Sequence, residues 1–484
     1  MRRQIKFYAT GLAVVLLSLS VFSAGCGCLR QACQPYGPRV TGDGTGSAIA
    51  VYEDIKGGNQ HDFYAQKISP EGEALWGEKG ALIGSAYKEC DSFNELHIVS
   101  DSSGGAFITW GGYPSEPDWR LAPGQRQIEY LTHVTKVDSE GNVTWQREVR
   151  GVDHMVSDGA GGVIIATDYS YDEETLFIIK IDSDGNFPWG EDGVYTRREG
   201  YCDHTLGLAS DGSGGAIIIW QELQTEAGPE PHRPKTTNRI FAQRIDAEGS
   251  LPWGQEGVLL YTTPEEVYSQ EPKVISDGSG GAIIICHQWP EGRIEEGSPK
   301  ALLNDIYIQR VDTHGNALWT ANGVALEAYK GSGFPNNPLI VSDGGSGAII
   351  LWGGPVGMFA QKIDADGNIK WQPGGVKVAG SSPNNAISDS SGGVIVTFGC
   401  KEAETKKTKL CVQRIDTASK PVWPGIGTPV TEHGTHDITC DGQGGAIIAW
   451  GSGKSTFKSE KSYVQRIDSD GKLLWGKEGI RLNP

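Results

Sequence analysis

Val274-Ile275-Ser276-Asp277-Gly278-Ser279-Gly280-Gly281-Ala282-Ile283-Ile284-Ile285 is followed, after a loop, by Ile306-Tyr307-Ile308-Gln309-Arg310-Val311-Asp312-Thr313-His314-Gly315-Asn316-Ala317-Leu318-Trp319, and reading this stretch decides the fold. Short runs of Val, Ile and Tyr broken by Asp-Gly and Gly-Gly pairs read as strands joined by tight turns. With the closing run Gly323-Val324-Ala325-Leu326 the unit holds four strands. The turn aspartate recurs as Asp43, Asp101, Asp158, Asp211, Asp277, Asp343, Asp389 and Asp441, so eight copies fill the chain from about Pro38 to Pro484. Runs such as Ala216-Ile217-Ile218-Ile219-Trp220 are apolar on both faces, and a strand of that kind must be covered on both sides. Radially stacked four-stranded blades supply that cover. The fold class expected is therefore all-β, an eight-bladed β-propeller of four-stranded antiparallel blades.

Two further residues keep the period. A tryptophan closes every copy: Trp76, Trp145, Trp189, Trp253, Trp319, Trp371, Trp423 and Trp475. Its regular return marks a packing element between blades, not a ligand stack. A basic residue in the third strand is equally regular, from Lys67 and Lys136 to Arg414 and Arg466. A cation repeated around a ring fits an ion pair with the turn aspartate better than it fits a catalyst.

The pattern Ser-Asp-Gly-x-Gly-Gly-Ala-Ile-Ile-x-Trp followed by Tyr-x-Gln-Arg-Ile-Asp-x-x-Gly-x-x-x-Trp resembles the propeller repeats of many uncharacterised bacterial exported proteins and lipoproteins, over nearly the whole mature chain. The segment Ile467-Asp468-Ser469-Asp470-Gly471-Lys472-Leu473-Leu474-Trp475 is similar to the tryptophan-docking segment of quinoprotein propellers and of their non-enzymatic relative, the outer-membrane assembly lipoprotein. Here the Asp-to-Gly gap is one residue shorter.

The N-terminus addresses the chain. Met1-Arg2-Arg3-Gln4-Ile5-Lys6 is basic, and an apolar run follows from about Phe7 to Phe22. That order is the order of an export signal, and the run is short for a bilayer span. Phe22-Ser23-Ala24-Gly25-Cys26 resembles the lipobox of bacterial lipoproteins, which implies acylation of Cys26 and loss of residues 1–25. The expected organisation is a signal over 1–25, a lipidated Cys26 with a linker over 26–37, and the propeller over 38–484. The body then sits outside the cytoplasm, in the cell envelope, with the membrane as a partner through the anchor. A net charge of −18, with no basic run, excludes a nucleic-acid partner. Gly at 68 of 484 residues fits a chain dense in turns.

In an up-and-down blade the turns joining strands one to two and three to four share one face. These are short and uniform, as in Asp211-Gly212-Ser213-Gly214-Gly215 and Asp182-Ser183-Asp184-Gly185-Asn186. Their acidic residues are too few for calcium, so they are expected to be plain hairpins. The connections on the other face vary: residues 111–130 contain Trp119, residues 221–239 are rich in Pro and charge, and residues 288–305 hold Trp289 and several Glu. Residues 401–409 and 454–461 are Lys-rich. Variation confined to one face of a repetitive scaffold is where binding usually resides.

Several histidines fall near the start of strand one: His97, His154 after Asp153, His204 after Asp203, and His433 and His436 before Asp437. His97 and His154 each stand four residues before their turn aspartate, hence at equivalent places in neighbouring blades. If strand one is innermost, these groups line the variable-face mouth of the channel across blades two, three, four and eight, with blade one as a gap. Such an arc of His and carboxylate suits a divalent metal or acid–base work. No nucleophile elbow and no His-Glu-x-x-His motif is present. Gly451-Ser452-Gly453-Lys454-Ser455-Thr456 lacks the first glycine of a phosphate loop. Cys400 and Cys411 flank one loop and are expected to form a disulfide in an oxidising compartment.

Two functions follow, and the sequence requires no cofactor for either. The first is a membrane-anchored, non-catalytic binding or scaffolding propeller that presents its variable face to a protein or glycan. The second is an extracytoplasmic saccharide hydrolase or lyase using the arc, with or without metal. The quinoprotein similarity implies a third class, a cofactor-bearing oxidoreductase.

Overall fold

The computed structural model describes residues 37–483 except 58, 89–95, 116–130, 168–174, 198–205, 231–232, 265–266, 270–271, 291–304, 327–335, 355, 379, 381, 402–406, 433 and 453–460. The chain divides into Met1–Cys33 and Gln34–Pro484, and the described residues all belong to the second unit. Cys26 and the signal and linker boundaries lie outside them.

Eight antiparallel sheets follow one another along the chain, each built from consecutive strands. Blade five shows the pattern: Lys273–Ser276, Ala282–Pro290, Asp305–Val311 and Val324–Ala325. The first strands of successive blades lie side by side around the ring, from Arg39–Gly42 in blade one to His436–Cys440 in blade eight and back to Arg39–Gly42. Strand one is therefore innermost and borders the channel. The second strands are apolar on both faces and buried over the residues that follow the turn, as Ile217, Ile218, Ile219 and Trp220 are in blade four. Each apolar cluster spans two neighbouring blades, so the core is a set of seams between blades, with no single centre.

Each blade is locked to the next by the same bonds. The indole Nε1 of Trp76 donates to Ser139 O of blade two at 3.1 Å, Trp253 to Thr313 O of blade five at 3.0 Å, and Trp423 to Ser469 O of blade eight at 2.9 Å. The series ends with Trp475 donating to Pro70 O of blade one at 3.0 Å, so the contact that joins neighbours also closes the ring. A glycine of the receiving turn lies against all of these rings but Trp371, whose turn has Ser419 there: Gly249 sits over Trp189 and Gly315 over Trp253, both at positive φ. A Cβ there would strike the indole and strain the backbone as well.

The third-strand cation pairs with the turn aspartate in every blade, from Lys67–Asp43 at 3.8 Å through Arg244–Asp211 at 2.9 Å to Arg466–Asp441 at 3.0 Å. Several of these cations also donate to a carbonyl of the following blade, as Lys180 does to Gly214 O at 2.6 Å and Arg310 to Ala365 O at 3.0 Å. The turns between strands three and four are self-contained. Asp182 Oδ1 accepts the N–H groups of Asp184 and Asn186, and its Oδ2 accepts Asn186 Nδ2. Burial raises the pKa of Asp182, but these bonds outweigh it and hold the carboxyl below its ordinary value. Its lone pairs are committed to the hairpin rather than to calcium.

Two details depart from the regular pattern. The connection over residues 221–239, expected as a loop, continues the ladder of blade four: Ala216–Glu230 pairs with Arg233–Ile245, with a register shift between Glu226 and Glu230. Blade five gains a fifth strand, Val267–Ser269, which pairs with the far end of Ala282–Pro290. Asn238 Nδ2 donates to Val267 O at 3.0 Å and so ties this extra strand to blade four.

Candidate functional site

Counting from the turn aspartate places one residue of each innermost strand at the channel mouth on the variable face. Four positions back stand Arg39, His97, His154 and Asp437 in blades one, two, three and eight. The same position holds Gly207, Lys273, Leu339 and Asn385 in blades four to seven. Eightfold sequence regularity ends here, and the mouth is chemically lopsided.

Alternation along a strand decides where each side chain goes. At this position it leans toward the following blade: Arg39 Nε donates to Leu96 O of blade two at 3.2 Å, and Asp437 Oδ2 accepts Val40 N–H of blade one at 3.0 Å. One residue earlier it leans back, so His436 meets Thr397 Oγ1 of blade seven at 2.8 Å and Gly434 O at 3.2 Å. His436 is thus turned away from the arc, with both ring nitrogens engaged. Asp437 Oδ1 also accepts Ile438 N–H at 3.0 Å. Both oxygens of Asp437 are tied to backbone, and Gly42 N–H bonds Thr439 Oγ1 at 3.2 Å beside them, so this carboxylate helps join blades eight and one. Burial pushes its pKa up, against the opposing pull of Arg39 and the two amides.

Blade one, expected as a gap in the arc, supplies its central charge. The Arg39 guanidinium acts on Asp437 on one side and on His97 on the other. Burial pushes the His97 imidazole down to about 4, the charges of Arg39 and His154 add to this, and a backbone hydrogen bond to Val152 opposes it. His97 is therefore neutral at pH 7, and among the described residues its buried Nε2 has no hydrogen-bond partner. Relative to the ordinary value of 6.5, the folded chain refuses a proton that the unfolded chain accepts. The stability due to neutral His97 is present above 6.5 and is lost as pH falls toward 4. Between pH 7 and pH 4 the wild type should lose about 3 kcal/mol relative to His97→Gln, read from urea unfolding of both. Parallel pH profiles would contradict this assignment.

Beside this charged seam a cavity of about 480 Å³ opens between blades three and seven. Its lining runs from Asp153 and His154 of blade three past Lys273 of blade five to Leu339 and Ile340 of blade six and Asn385 of blade seven. The volume lies within the usual range for small-ligand sites, and the mix of apolar wall with a few polar groups is typical of them. Asp153 and His154 thus both line the cavity, while His436 and Asp437 are bonded into the seams on either side of blade eight. Asp203, His204 and His433 lie outside the described residues. Among the described residues no three His, Cys, Asp or Glu side chains converge as a metal would require. The arrangement can bind an amphipathic group and orient it by charge.

Arg39 and Lys273 are not among the His and carboxylate residues of the expected arc, although the count back from Asp43 and Asp277 finds both. Elsewhere on this face Cys400 and Cys411 are joined, with Cα atoms 5.8 Å apart, across the hairpin that carries the Lys-rich insertion of blade seven. Burial pushes the Cys286 thiol up to about 12, which leaves it inert.

No protein-family model matches the chain, and no curated protein sequence matches it. Among solved structures it is similar to the β-propeller domain of the Trilobed protease from Pyrococcus furiosus, with 12% identity and a TM-score of 0.39, over 81% of this chain and 98% of that one. Prolyl oligopeptidase B from Galerina marginata is 10% identical with a TM-score of 0.43, over 92% of this chain and 51% of that one. The Hadza microbial sialidase Hz136 is 9% identical with a TM-score of 0.37, over 81% and 71% respectively. These likenesses are distant, and the fold assignment rests on the eight blades themselves.

Proposed function

We propose that this chain is a lipid-anchored, extracytoplasmic binding propeller that takes up a protein or glycan at the channel mouth of its variable face. The observation that carries the reading is the contrast between a scaffold repeated eight times and a chemically lopsided cavity at one end of its axis. Selection for stability alone gives no reason to break the pattern at the mouth while keeping it in every seam. The export pattern of residues 1–22 and the lipobox-like run ending in Cys26 support the envelope location.

Binding should follow the cavity. Leu339→Arg places a long charged side chain where the wall is apolar, and Ile369→Arg makes the same change on the opposite face, where Ile369 is already exposed. On arrays of envelope glycans and of extracytoplasmic protein domains, the wild type and Ile369→Arg should retain the same ligand. Leu339→Arg should bind it at least about tenfold more weakly, a loss of about 1.4 kcal/mol. Equal retention by all three proteins, or no ligand of either kind, would sink the proposal.

A further inference from the structure

The chain enters the propeller at the mouth. Arg39–Gly42 runs from the variable face to the turn Asp43–Ser47 on the constant face, so Gly37 and Pro38 lie at the variable-face end of the axis. Both are buried, and Gly37 packs against Thr435 just before the first strand of blade eight. The entry point is thus fixed in the protein body, at the centre of a disc and on one side of it.

From this geometry we infer that the cavity-bearing face is turned toward the membrane and the constant face away from it. The inference rests on the lipid anchor at Cys26 proposed above. Cys26 precedes Gly37 by eleven residues, which span at most about 36–40 Å when fully extended. For the constant face to look at the bilayer, that stretch must cross the variable face and descend the side of a blade. Crossing four strands takes about 20 Å with side chains, and strands of seven to ten residues add roughly 25–30 Å. The path is about 45 Å or longer, and the tether cannot make it.

An edge-on disc is within reach but disfavoured. Its axis would stand about 25 Å from the bilayer, the strand spacings plus the channel radius. A random coil of eleven residues has a root-mean-square span of about 17–20 Å, shorter than that pose requires. With the mouth facing the membrane, full extension limits the gap to about 40 Å, and a gap near the coil span of about 17–20 Å leaves the tether unstretched. The cavity then opens onto a thin layer, and its ligand is one that this membrane displays or one small enough to enter sideways.

The test uses the full acylated chain on vesicles of phosphatidylethanolamine and phosphatidylglycerol carrying a rhodamine-labelled headgroup. A fluorescent amino acid is placed at Val356, exposed on the variable face of blade six, or separately at Asp366 in the turn after its third strand. Emission from position 356 should be strongly quenched by transfer to rhodamine on vesicle binding, and emission from 366 should barely change. Equal quenching or the reverse order would overturn the orientation while leaving the anchor intact. Flotation of Cys26→Ser with vesicles as efficiently as the wild type, or failure of the wild type to float, would instead remove the anchor, and the orientation with it.

Discussion

Asp211→Ala is expected to destabilise the propeller by about 3–5 kcal/mol, the range for removing one partner of a buried ion pair. The Asp211 carboxylate is fully buried and accepts Ser213 N–H at 2.8 Å and Gly215 N–H at 2.9 Å while it pairs with Arg244. Burial raises its pKa, but the two amides and the guanidinium outweigh burial and hold it below the ordinary carboxylate value. A depressed carboxyl contributes stability above its unfolded pKa, and that stability is lost as acid titrates the folded form. Truncation leaves Arg244 without its buried counter-charge and two turn amides without an acceptor. Adding Arg244→Met should restore part of the loss, because the charge is removed with its partner. Urea midpoints of the two variants check this, and a double variant no more stable than Asp211→Ala would mean that the turn amides, not the ion pair, carry the effect.

Trp475→Ala should cost a similar amount, about 3–5 kcal/mol, as truncation of a buried Trp does elsewhere. Its consequence differs in kind. Trp475 is buried against Gly72 and donates to Pro70 O across 405 residues of sequence, at the seam where the last blade meets the first. Among the described residues no strand is exchanged between these blades, so closure depends on side-chain contacts and on the amides of Val40 and Gly42 held by Asp437 and Thr439. Amide exchange in Arg39–Gly42 and His436–Cys440 should accelerate in this variant well before the blades opposite. Uniform protection around the ring would contradict closure at this seam.

The fold was legible because three independent signals share one period: turns that need Asp and Gly, strands apolar on both faces, and a tryptophan that caps each unit. Each has a local physical cause, and the eight blades repeat them. The ladder over residues 221–239 was not legible, since Pro and charge are depleted in strands and only continued backbone pairing in blade four overrides that preference. The mouth was legible in part. His97 and His154 share a register position, and the same count finds Arg39, Lys273 and Asp437. His436 is one residue out of register, which sends its side chain to the opposite face of the blade and to Thr397. The backbone duty of Asp437 has no sequence signal, because it arises only where blade eight meets blade one.

A photo-reactive benzoylphenylalanine at Leu339 in living cells, compared with the same residue at Ile369, tests most directly whether this propeller binds at its mouth. Benzophenone inserts into C–H bonds of proteins and glycans alike. The account predicts a discrete adduct from position 339 and none from 369. Adducts from 369 alone would move the binding surface to the constant face and contradict it.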